Sequence, residues 1–418
     1  MIQWLLAGGG LLFAAFVVAA PAGETERVFA NYENNVVQIR ILDQESGSKS
    51  SIGSGFLAGS QGQVITNFHV VAELVHHPDQ YRAEFLFENG ESGALSLLDI
   101  DVVHDLALLK MAGSPAHYLT VSARQPAKGE RLFSLGNPHD LGLTIVEGTY
   151  NGHLEKSLYE KIHFTGSINP GMSGGPTIDR DGAVVGVNVA TAGNQLSFLV
   201  PASYVIRLLT QPHAEGEAAD FEDLIRDQLL ANQQQYLEKL LAQPFATLTM
   251  DHFKVPGRLA NFLNCWGDTQ KREDTLYERV FQSCSSSDDI FLSDEQSSGI
   301  IRYSHELYTS EGLGALRFFG FLERNFQVER LRLRSDEDMV GNYVCDADFV
   351  ENKGLRSKVV FCLRAYKNFT GLYDATLMAA VFHGDGQLLQ TNLALAGVSY
   401  ENAVRFPRAY LEAIQWNP

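Results

Sequence analysis

The residue types needed for nucleophilic catalysis occur at three places in the first half of the chain, at His69, Asp105 and Ser173. A serine hydroxyl is a weak nucleophile unless a base removes its proton. Histidine titrates near neutral pH and can act as that base. A carboxylate on its other ring nitrogen fixes the tautomer and stabilises the imidazolium. Brought together by a fold, these three side chains could attack a carbonyl carbon.

The sequence around Ser173 suits a loop that presents a nucleophile. It reads Asn-Pro-Gly-Met-Ser-Gly-Gly-Pro over residues 169–176. Glycines on both sides of the serine let the backbone adopt conformations that are forbidden to other residues. Such a loop can point the N–H groups of Gly171 and Ser173 into one small space, where they would stabilise an oxyanion. An ordinary turn between two strands is the alternative interpretation.

His69 and Asp105 are weak signals when each is taken alone. His69 lies in the apolar run Val-Ile-Thr-Asn-Phe-His-Val-Val, where a histidine is more often a hydrogen-bonded core residue than a base. Asp105 opens the apolar segment Asp-Leu-Ala-Leu-Leu-Lys. Aspartates are common in turns, although burial of the charge would demand partners. The functional interpretation therefore depends on the three motifs in combination.

In combination, the motifs resemble those of the HtrA (Deg) group of trypsin-like serine proteases. That group carries Thr-Asn-x-His-Val, then Asp-Leu-Ala-x-Leu-Lys, then Asn-x-Gly-x-Ser-Gly-Gly-Pro, and this chain matches them at residues 66–70, 105–110 and 169–176. The resemblance extends over about residues 36–209. Further segments similar to the group lie at 53–56, 135–138 and 186–188.

This resemblance implies an all-β, trypsin-like double β-barrel with a cleft between the barrels. Ser173 would be the nucleophile, His69 the base and Asp105 the residue that orients the base. The backbone N–H groups of Gly171 and Ser173 would form the oxyanion hole. The implied activity is that of a serine endopeptidase acting on protein or peptide substrates, with no cofactor.

The resemblance also implies where a substrate would bind. One wall of the specificity pocket and the strand to which substrate adds are expected to consist of Ser167, Ile168, Asn169, Asn188, Val189 and Ala190. None of these is Asp or Glu, so a preference for Lys or Arg before the scissile bond is not expected. A small or medium apolar residue is expected there instead.

Two features depart from the group. Met172 stands where the group usually has Asn or Asp, and we expect it to alter contacts just past the scissile bond. The group usually continues into a PDZ domain, but no PDZ-like carboxylate-binding loop is recognisable after residue 211. Regulation through a PDZ domain is therefore not expected.

The rest of the chain divides by composition. Short apolar runs separated by turn residues over 28–210 are typical of an all-β domain, and they require no helix before 202–209. Helical spacing of apolar residues predicts a connecting helix over 218–242. A second, mainly β domain is expected over 245–418, with a turn at 383–386 and a last helix over 403–414. The acidic, serine-rich stretch 285–298 is expected to be a solvated loop.

Charge and composition exclude one class of partner. The chain of 418 residues has a formal charge of −18 and a pI of about 5.1. Such an acidic chain is a poor ligand for nucleic acid, which rewards a basic surface. His76, His77 and Asp79 lie close together, but Pro78 breaks the segment, so no metal site is expected there.

The N-terminus indicates export. Residues 1–22 contain no charged side chain and are nearly all apolar. They are either a signal peptide cut near residues 20–23 or an uncleaved membrane anchor, since roughly 20 apolar residues span a bilayer. Both interpretations place the rest of the chain in the periplasm or outside the cell.

The cysteines agree with export. An even number of cysteines in an exported chain predicts disulfides, with three pairings available. Short loop closure favours Cys265–Cys284 and Cys345–Cys362, and the wide spacing argues against zinc. All four cysteines lie in the second half of the chain.

Two other functions stay open. The first is a protease fold that is inactive, or resting with a collapsed oxyanion loop until a partner binds. The second is a binding function located in the C-terminal domain, with proteolysis secondary. Oligomerisation through the 218–242 helix is a further alternative.

Overall fold

The computed structural model describes most of the chain from Gly23 onward. The described residues are 23–113, 115–191, 196–212, 221–271, 277–310, 314–327, 333, 335–382 and 387–417. The predicted signal or anchor at 1–22, the start of the helix predicted over 218–242 and the turn predicted at 383–386 lie outside them. Within the described residues, no helix has the length and apolar character needed to cross a bilayer.

Six antiparallel strands close into a first barrel, in the order β1-β2-β3-β6-β5-β4. Strand β6, the last of the six along the chain, is buried on both faces. Ala107 and Leu109 point into a core inside the barrel, while Leu106 and Leu108 point into a core shared with the second barrel. The strands are β1 (Val36–Asp43), β2 (Lys49–Leu57), β3 (Gln63–Thr66), β4 (Tyr81–Leu86), β5 (Ser92–Asp101) and β6 (Leu106–Met111).

A second closed barrel of six strands follows, in the order β10-β11-β12-β9-β8-β7. Together the two barrels confirm the predicted all-β, trypsin-like double barrel. The strands are β7 (Arg131–Gly136), β8 (Thr144–His153), β9 (Ile162–Phe164), β10 (Pro176–Ile178), β11 (Val184–Thr191) and β12 (Ser197–Pro201).

The expectation that no helix precedes residues 202–209 is wrong. Helix α1 covers Glu24–Tyr32 and helix α2 covers Phe68–His76, ahead of the predicted helix α3 at Ala202–Thr210. In α2 the buried residues Phe68, Val71, Ala72 and Val75 recur at three- and four-residue spacing, which is the period of a helix face. The apolar run that contains His69 therefore changes from strand to helix at Asn67.

The predicted connecting helix is α4 (Phe221–Leu241), and it packs on two cores. Its first half contributes Ile225 and Leu229 to the core that contains the first barrel and helix α2. Its second half contributes Tyr236 and Leu237 to the core of the C-terminal region. This one helix therefore joins the two parts of the molecule.

The C-terminal region is mainly β, as predicted, and its main sheet has seven strands in the order β15-β16-β19-β23-β22-β21-β20. A smaller sheet has the order β13-β14-β24. The strands of these two sheets are β13 (Thr247–Met250), β14 (Phe253–Pro256), β15 (Leu263–Lys271), β16 (Glu278–Ser286), β19 (Ile301–Thr309), β20 (Val344–Asn352), β21 (Leu355–Ala365), β22 (Leu372–Phe382), β23 (Gln387–Ser399) and β24 (Gln415–Trp416).

Two helices accompany these sheets, α5 (Ala315–Asn325) and α6 (Tyr400–Glu412). Helix α6 is the predicted last helix, and it begins a little earlier than expected. Its start is fixed by the side chain of Ser399, which accepts a hydrogen bond from Asn402 N, as serine N-caps do.

Both disulfides join directly opposed residues of neighbouring strands. Cys265 pairs with Cys284 between β15 and β16, and Cys345 pairs with Cys362 between β20 and β21. These are the pairings that short loop closure favours. They lie at the two opposite edges of the seven-stranded sheet.

The prediction of a solvated loop over 285–298 is wrong. This stretch contains a hairpin of β17 (Ile290–Ser293) and β18 (Gln296–Ser298). Ile290 and Leu292 are buried, with exposed fractions of 2% and 0%. They alternate along β17 and join the core that contains helix α2 and the first barrel. The polar residues around them conceal this short period-two pattern.

We expect Leu292→Ala to destabilise the protein by about 3 kcal/mol, the usual cost of emptying a fully buried leucine site. The midpoint of urea denaturation, followed by circular dichroism, measures the change. Leu316→Ala is the matched control, because Leu316 is 91% exposed. Equal midpoints for the two variants would show that the β17–β18 hairpin is not part of the first-barrel core.

Candidate active site

His69 lies in the first turn of α2 and is held by one carboxylate at two points. Its ring Nδ1 is 2.7 Å from Asp105 Oδ2, and its backbone N–H donates to Asp105 Oδ1 over 2.9 Å. Two bonds from one carboxylate fix both the start of the helix and the orientation of the ring. With Nδ1 committed to Asp105, Nε2 is the ring nitrogen left to act as a base.

Asp105 adopts an unusual backbone conformation immediately before β6. Its φ is +55°, in the left-handed region that residues other than glycine seldom adopt. Its carbonyl accepts a hydrogen bond of 2.7 Å from Asn67 Nδ2, so the residues flanking β3 and β6 hold each other. The left-handed turn lets Asp105 aim its carboxylate back at His69 instead of continuing the strand.

A second carboxylate fixes the turn that leads into Asp105. Asp101 accepts hydrogen bonds from the backbone N–H and the ring Nδ1 of His104, at 3.1 and 2.8 Å. It also pairs with Arg207 of α3 over 2.6 Å. Burial raises the pKa of Asp101. The hydrogen bonds and charges of His104 and Arg207 together lower it by more than burial raises it, so the net pKa lies below its ordinary value. Asp101 thus stays ionised and keeps the turn closed.

Ser54 on β2 attaches the Ser173 loop to the first barrel. Its backbone N–H donates to the carbonyl of Ser173 over 2.8 Å, and its hydroxyl donates to the carbonyl of Gly171 over 2.7 Å. The same hydroxyl accepts a hydrogen bond from Asn137 N of the second barrel. Ser54 therefore contacts both barrels and the Ser173 loop, a role that the sequence around it does not reveal.

Two glycines of the loop are required by close contacts. Gly171 has a φ of +94°, and a Cβ there would lie 2.4 Å from the carbonyl oxygen of Asn137. Gly174 has a φ of +84°, and a Cβ there would lie 2.2 Å from Thr66 Oγ1. The second contact also places the loop directly against the segment that leads into His69.

The backbone of the loop leaves two donors unused. The carbonyl of Pro170 accepts a hydrogen bond from His139 N over 3.0 Å. In a trans peptide the N–H of the next residue points the opposite way, so the N–H of Gly171 points away from His139. Within the described part of the chain, neither Gly171 N nor Ser173 N donates a hydrogen bond.

The hydroxyl of Ser173 is not hydrogen-bonded to His69. Within the described residues it has no hydrogen-bond partner, and Ser173 is partly exposed. Rotation about one side-chain bond moves such a hydroxyl freely. Hydrogen bonds of catalytic groups are often long or absent without substrate.

The pKa of His69 is raised mainly by the Asp105 carboxylate and, to a smaller extent, by the carboxylate of Asp294. Burial lowers this pKa, but the Asp105 carboxylate raises it both by its charge and as a hydrogen-bond acceptor, and the charge of Asp294 raises it further. The net pKa lies above the ordinary value for histidine. Asp294 belongs to the connection between β17 and β18, so the C-terminal region acts electrostatically on His69.

The predicted pocket residues have different surroundings in the structure. Ser167 and Asn169 are exposed beside the loop, while Ile168 is buried in the core of the second barrel. Val189 lines a cavity of about 220 Å³ together with Asp105. Ala190 lies on β11, and its side chain is outside what the structure describes.

Asn188 has a structural role instead of the predicted contact with substrate. Its side chain is fully buried, accepts from Ser134 and Thr177, and donates to the carbonyls of Leu135 and Met172. Its backbone is used as well, because Asn188 N donates to Gly175 O and Asn188 O accepts from Gly174 N. Asn188 thus supports the Ser173 loop from behind.

The expectation that Met172 alters contacts past the scissile bond is also wrong. Met172 is 0% exposed and packs in the core of the second barrel with Phe164, Ile168 and Leu199. The apolar side chain suits this site, where a carboxylate would need partners.

Comparison with known proteins agrees with this geometry. Residues 53–187 match the trypsin-like peptidase domain family. The two closed six-stranded barrels agree with the similarity of this segment to a trypsin-like peptidase domain. The proteins it resembles in sequence are HtrA-type serine proteases.

Three such relatives illustrate the extent of the similarity. Serine protease HTRA3 of Homo sapiens is 31% identical over 172 residues, covering 38% of this chain and 38% of that protein. A probable periplasmic serine endoprotease DegP-like of Chlamydia muridarum is 28% identical, covering 40% and 34%. Protease Do-like 5, chloroplastic, of Arabidopsis thaliana is 29% identical, covering 40% and 58%. The chain thus spans about a third to just over half of the length of these relatives.

Solved structures also match. The crystal structure of Deg5 is 27% identical with a TM-score of 0.40, covering 46% of this chain and 96% of that one. The serine endoprotease from Yersinia pestis is 23% identical with a TM-score of 0.39, covering 46% and 66%.

We expect Asp294→Asn to lower the pKa of His69, because the substitution removes a negative charge that favours the imidazolium. An NMR titration of ¹³C-labelled histidine, with the His69 signal assigned from a His69→Gln variant, measures the shift. Glu295→Gln is the control, since Glu295 is the exposed neighbour and is not among the groups that raise this pKa. An unchanged titration in Asp294→Asn, or an equal shift in the control, would contradict the assignment.

Proposed function

We propose that this chain is a serine endopeptidase in which Ser173 is the nucleophile, His69 the general base and Asp105 the residue that orients His69. The observation that carries the proposal is the pair of hydrogen bonds that the Asp105 carboxylate accepts from the ring and the backbone of His69. The attachment of the Ser173 loop to the first barrel through Ser54 supports it. A stable double barrel would not by itself require either feature.

In the proposed mechanism, Ser173 Oγ attacks the carbonyl carbon of a peptide bond while His69 Nε2 takes its proton. The new C–O bond pushes the carbonyl electron pair onto oxygen, and the N–H groups of Gly171 and Ser173 stabilise that oxyanion. Asp105 stabilises the imidazolium without taking its proton. His69 then donates the proton to the leaving amine as the C–N bond breaks, which leaves an acyl-enzyme. Water, activated by His69, hydrolyses the ester and regenerates Ser173.

The proposed specificity follows from the exposed part of the pocket. Ser167 and Asn169 are uncharged, and neither they nor Val189 would pair with the head group of Lys or Arg. We expect a small or medium apolar residue before the scissile bond. Substrate would add as a strand along Val189 and Ala190, because backbone pairing tolerates varied side chains.

The proposed location is outside the cytoplasm. Two disulfides suit an oxidising compartment, and the Chlamydia relative is described as periplasmic. The substrates would then be exported proteins or peptides. In the same proposal, residues 1–22 are either a cleaved signal or a membrane tether. The oligomeric state stays open.

The rival function is a protease-fold binding module, resting or inactive, that acts through its C-terminal region. The missing hydrogen bond between Ser173 and His69 favours it. Among the described residues, the N–H groups of Gly171 and Ser173 donate no hydrogen bond. This argues against the collapsed oxyanion loop of a resting enzyme, because collapse would turn the N–H of Gly171 away from the site.

Labelling with a fluorophosphonate probe tests the proposal directly. We expect the wild type to be labelled, Ser173→Ala to lose all labelling, and Asp105→Asn to react about 10⁴-fold more slowly because His69 loses its orientation. Ser92→Ala, which removes an exposed serine hydroxyl on β5, should match the wild type. A folded wild type that resists the probe would overturn the proposal in favour of the binding module.

A further inference from the structure

The β17–β18 hairpin, residues 288–298, reaches from the C-terminal region to the cleft between the barrels. At its start, the buried carboxylate of Asp288 accepts hydrogen bonds from Ser157 Oγ, Leu158 N and Lys161 Nζ, at 2.8, 2.9 and 2.7 Å. These three groups belong to the connection between β8 and β9 of the second barrel. The hairpin is therefore fastened to the second barrel at this end.

The same hairpin is fastened to the first barrel through its first strand, β17. His76, the last residue of α2, donates from Nε2 to the carbonyl of Leu292 over 2.8 Å. Burial lowers the pKa of His76, and although the bond to Leu292 opposes this, the net pKa stays below the ordinary value, so the ring is neutral at physiological pH. A neutral ring with a donating Nε2–H holds β17 against the helix that carries His69.

Phe291 lies on β17 beside the cleft. Ile290 and Leu292 on either side of it are buried in the core, and Phe291 packs against the same core without being fully buried. Its ring lies edge-on to the ring of His69, with 5.9 Å between the ring centroids and 68° between the planes. Part of the Phe291 side chain is exposed to solvent.

Phe291 also lines a cavity that lies on the expected path of the substrate. The cavity of about 220 Å³ is lined by Phe291, Asp105 and Val189, among others. Val189 is on the strand along which we propose that substrate adds. If the side chain just before the scissile bond enters the pocket beside Ser167, the preceding side chain points to the opposite face, toward His69.

We propose that Phe291 forms an apolar wall of the subsite for the second residue before the scissile bond, so that the C-terminal region supplies a specificity-determining residue to the peptidase cleft. This inference rests on the proposed function. The wall is fixed, because Asp288, Ile290 and Leu292 are all buried around it. It favours a small apolar side chain at that position of the substrate, since a large one would collide with the ring.

Peptidyl diphenyl phosphonates test the wall, because they carry substrate side chains and react covalently with an activated serine. Two reagents are needed, with Val at the first position and either Ala or Phe at the second. The full chain is used throughout. We expect the wild type to prefer Ala, and Phe291→Ala to raise the ratio of second-order rate constants, Phe over Ala, by about tenfold or more.

Two further variants make the result specific. Phe291→Trp enlarges the wall and should shift the ratio in the opposite direction, which also covers a failure of Phe291→Ala to fold. Phe349→Ala is the matched control, because Phe349 lies in the same C-terminal region on β20 and is 61% exposed. Its ratio should equal that of the wild type.

The outcomes separate the two proposals. An unchanged ratio in both Phe291 variants, with fluorophosphonate labelling retained, overturns the wall and leaves the endopeptidase intact. An equal gain with both reagents in Phe291→Ala also overturns it, because the ring would then obstruct the cleft without selecting. A folded wild type that no phosphonate labels overturns the endopeptidase, and the wall falls with it.

Discussion

One carboxylate, that of Asp105, holds the cleft together by binding the ring and the backbone of His69 at once. For this to happen, the chain must turn through a left-handed conformation just before β6, and α2 must begin where β3 ends. Both conditions depend on burial, since β6 faces two cores and α2 places one face in the first barrel. The chemistry of the site is thus a property of how two strand ends are packed.

The sequence predicts the double barrel through two kinds of local signal. Short apolar runs separated by turn residues indicate an all-β domain. The contiguous motifs around His69, Asp105 and Ser173 carry a family resemblance, and that resemblance implies the two barrels. The errors occur where a side chain's direction depends on distant partners. Asn188 and Ile168 lie in the predicted pocket segments but point inward, because the second barrel closes over them. Helix α2 was concealed by an apolar run that reads equally well as a strand.

The contribution of the C-terminal region was beyond the reach of sequence patterns. Residues 285–298 contain only two buried aliphatic residues among serines and acids, and their partners are on α2, more than two hundred residues earlier. No periodicity within the stretch reveals such a contact. The disulfides were predictable for the opposite reason: each closes a short hairpin, so its two cysteines are near neighbours in the chain.

The core that α2, α4 and the β17–β18 hairpin share also bears on local opening of the molecule. Segments that are packed into one core open together, so their amide protons exchange with solvent as one cooperative unit. The helix carrying His69 would have to lose contacts with both halves of the molecule to unfold, because its buried face packs against chain from both. Removal of the C-terminal half would therefore leave the two barrels with an uncovered, apolar flank beside His69.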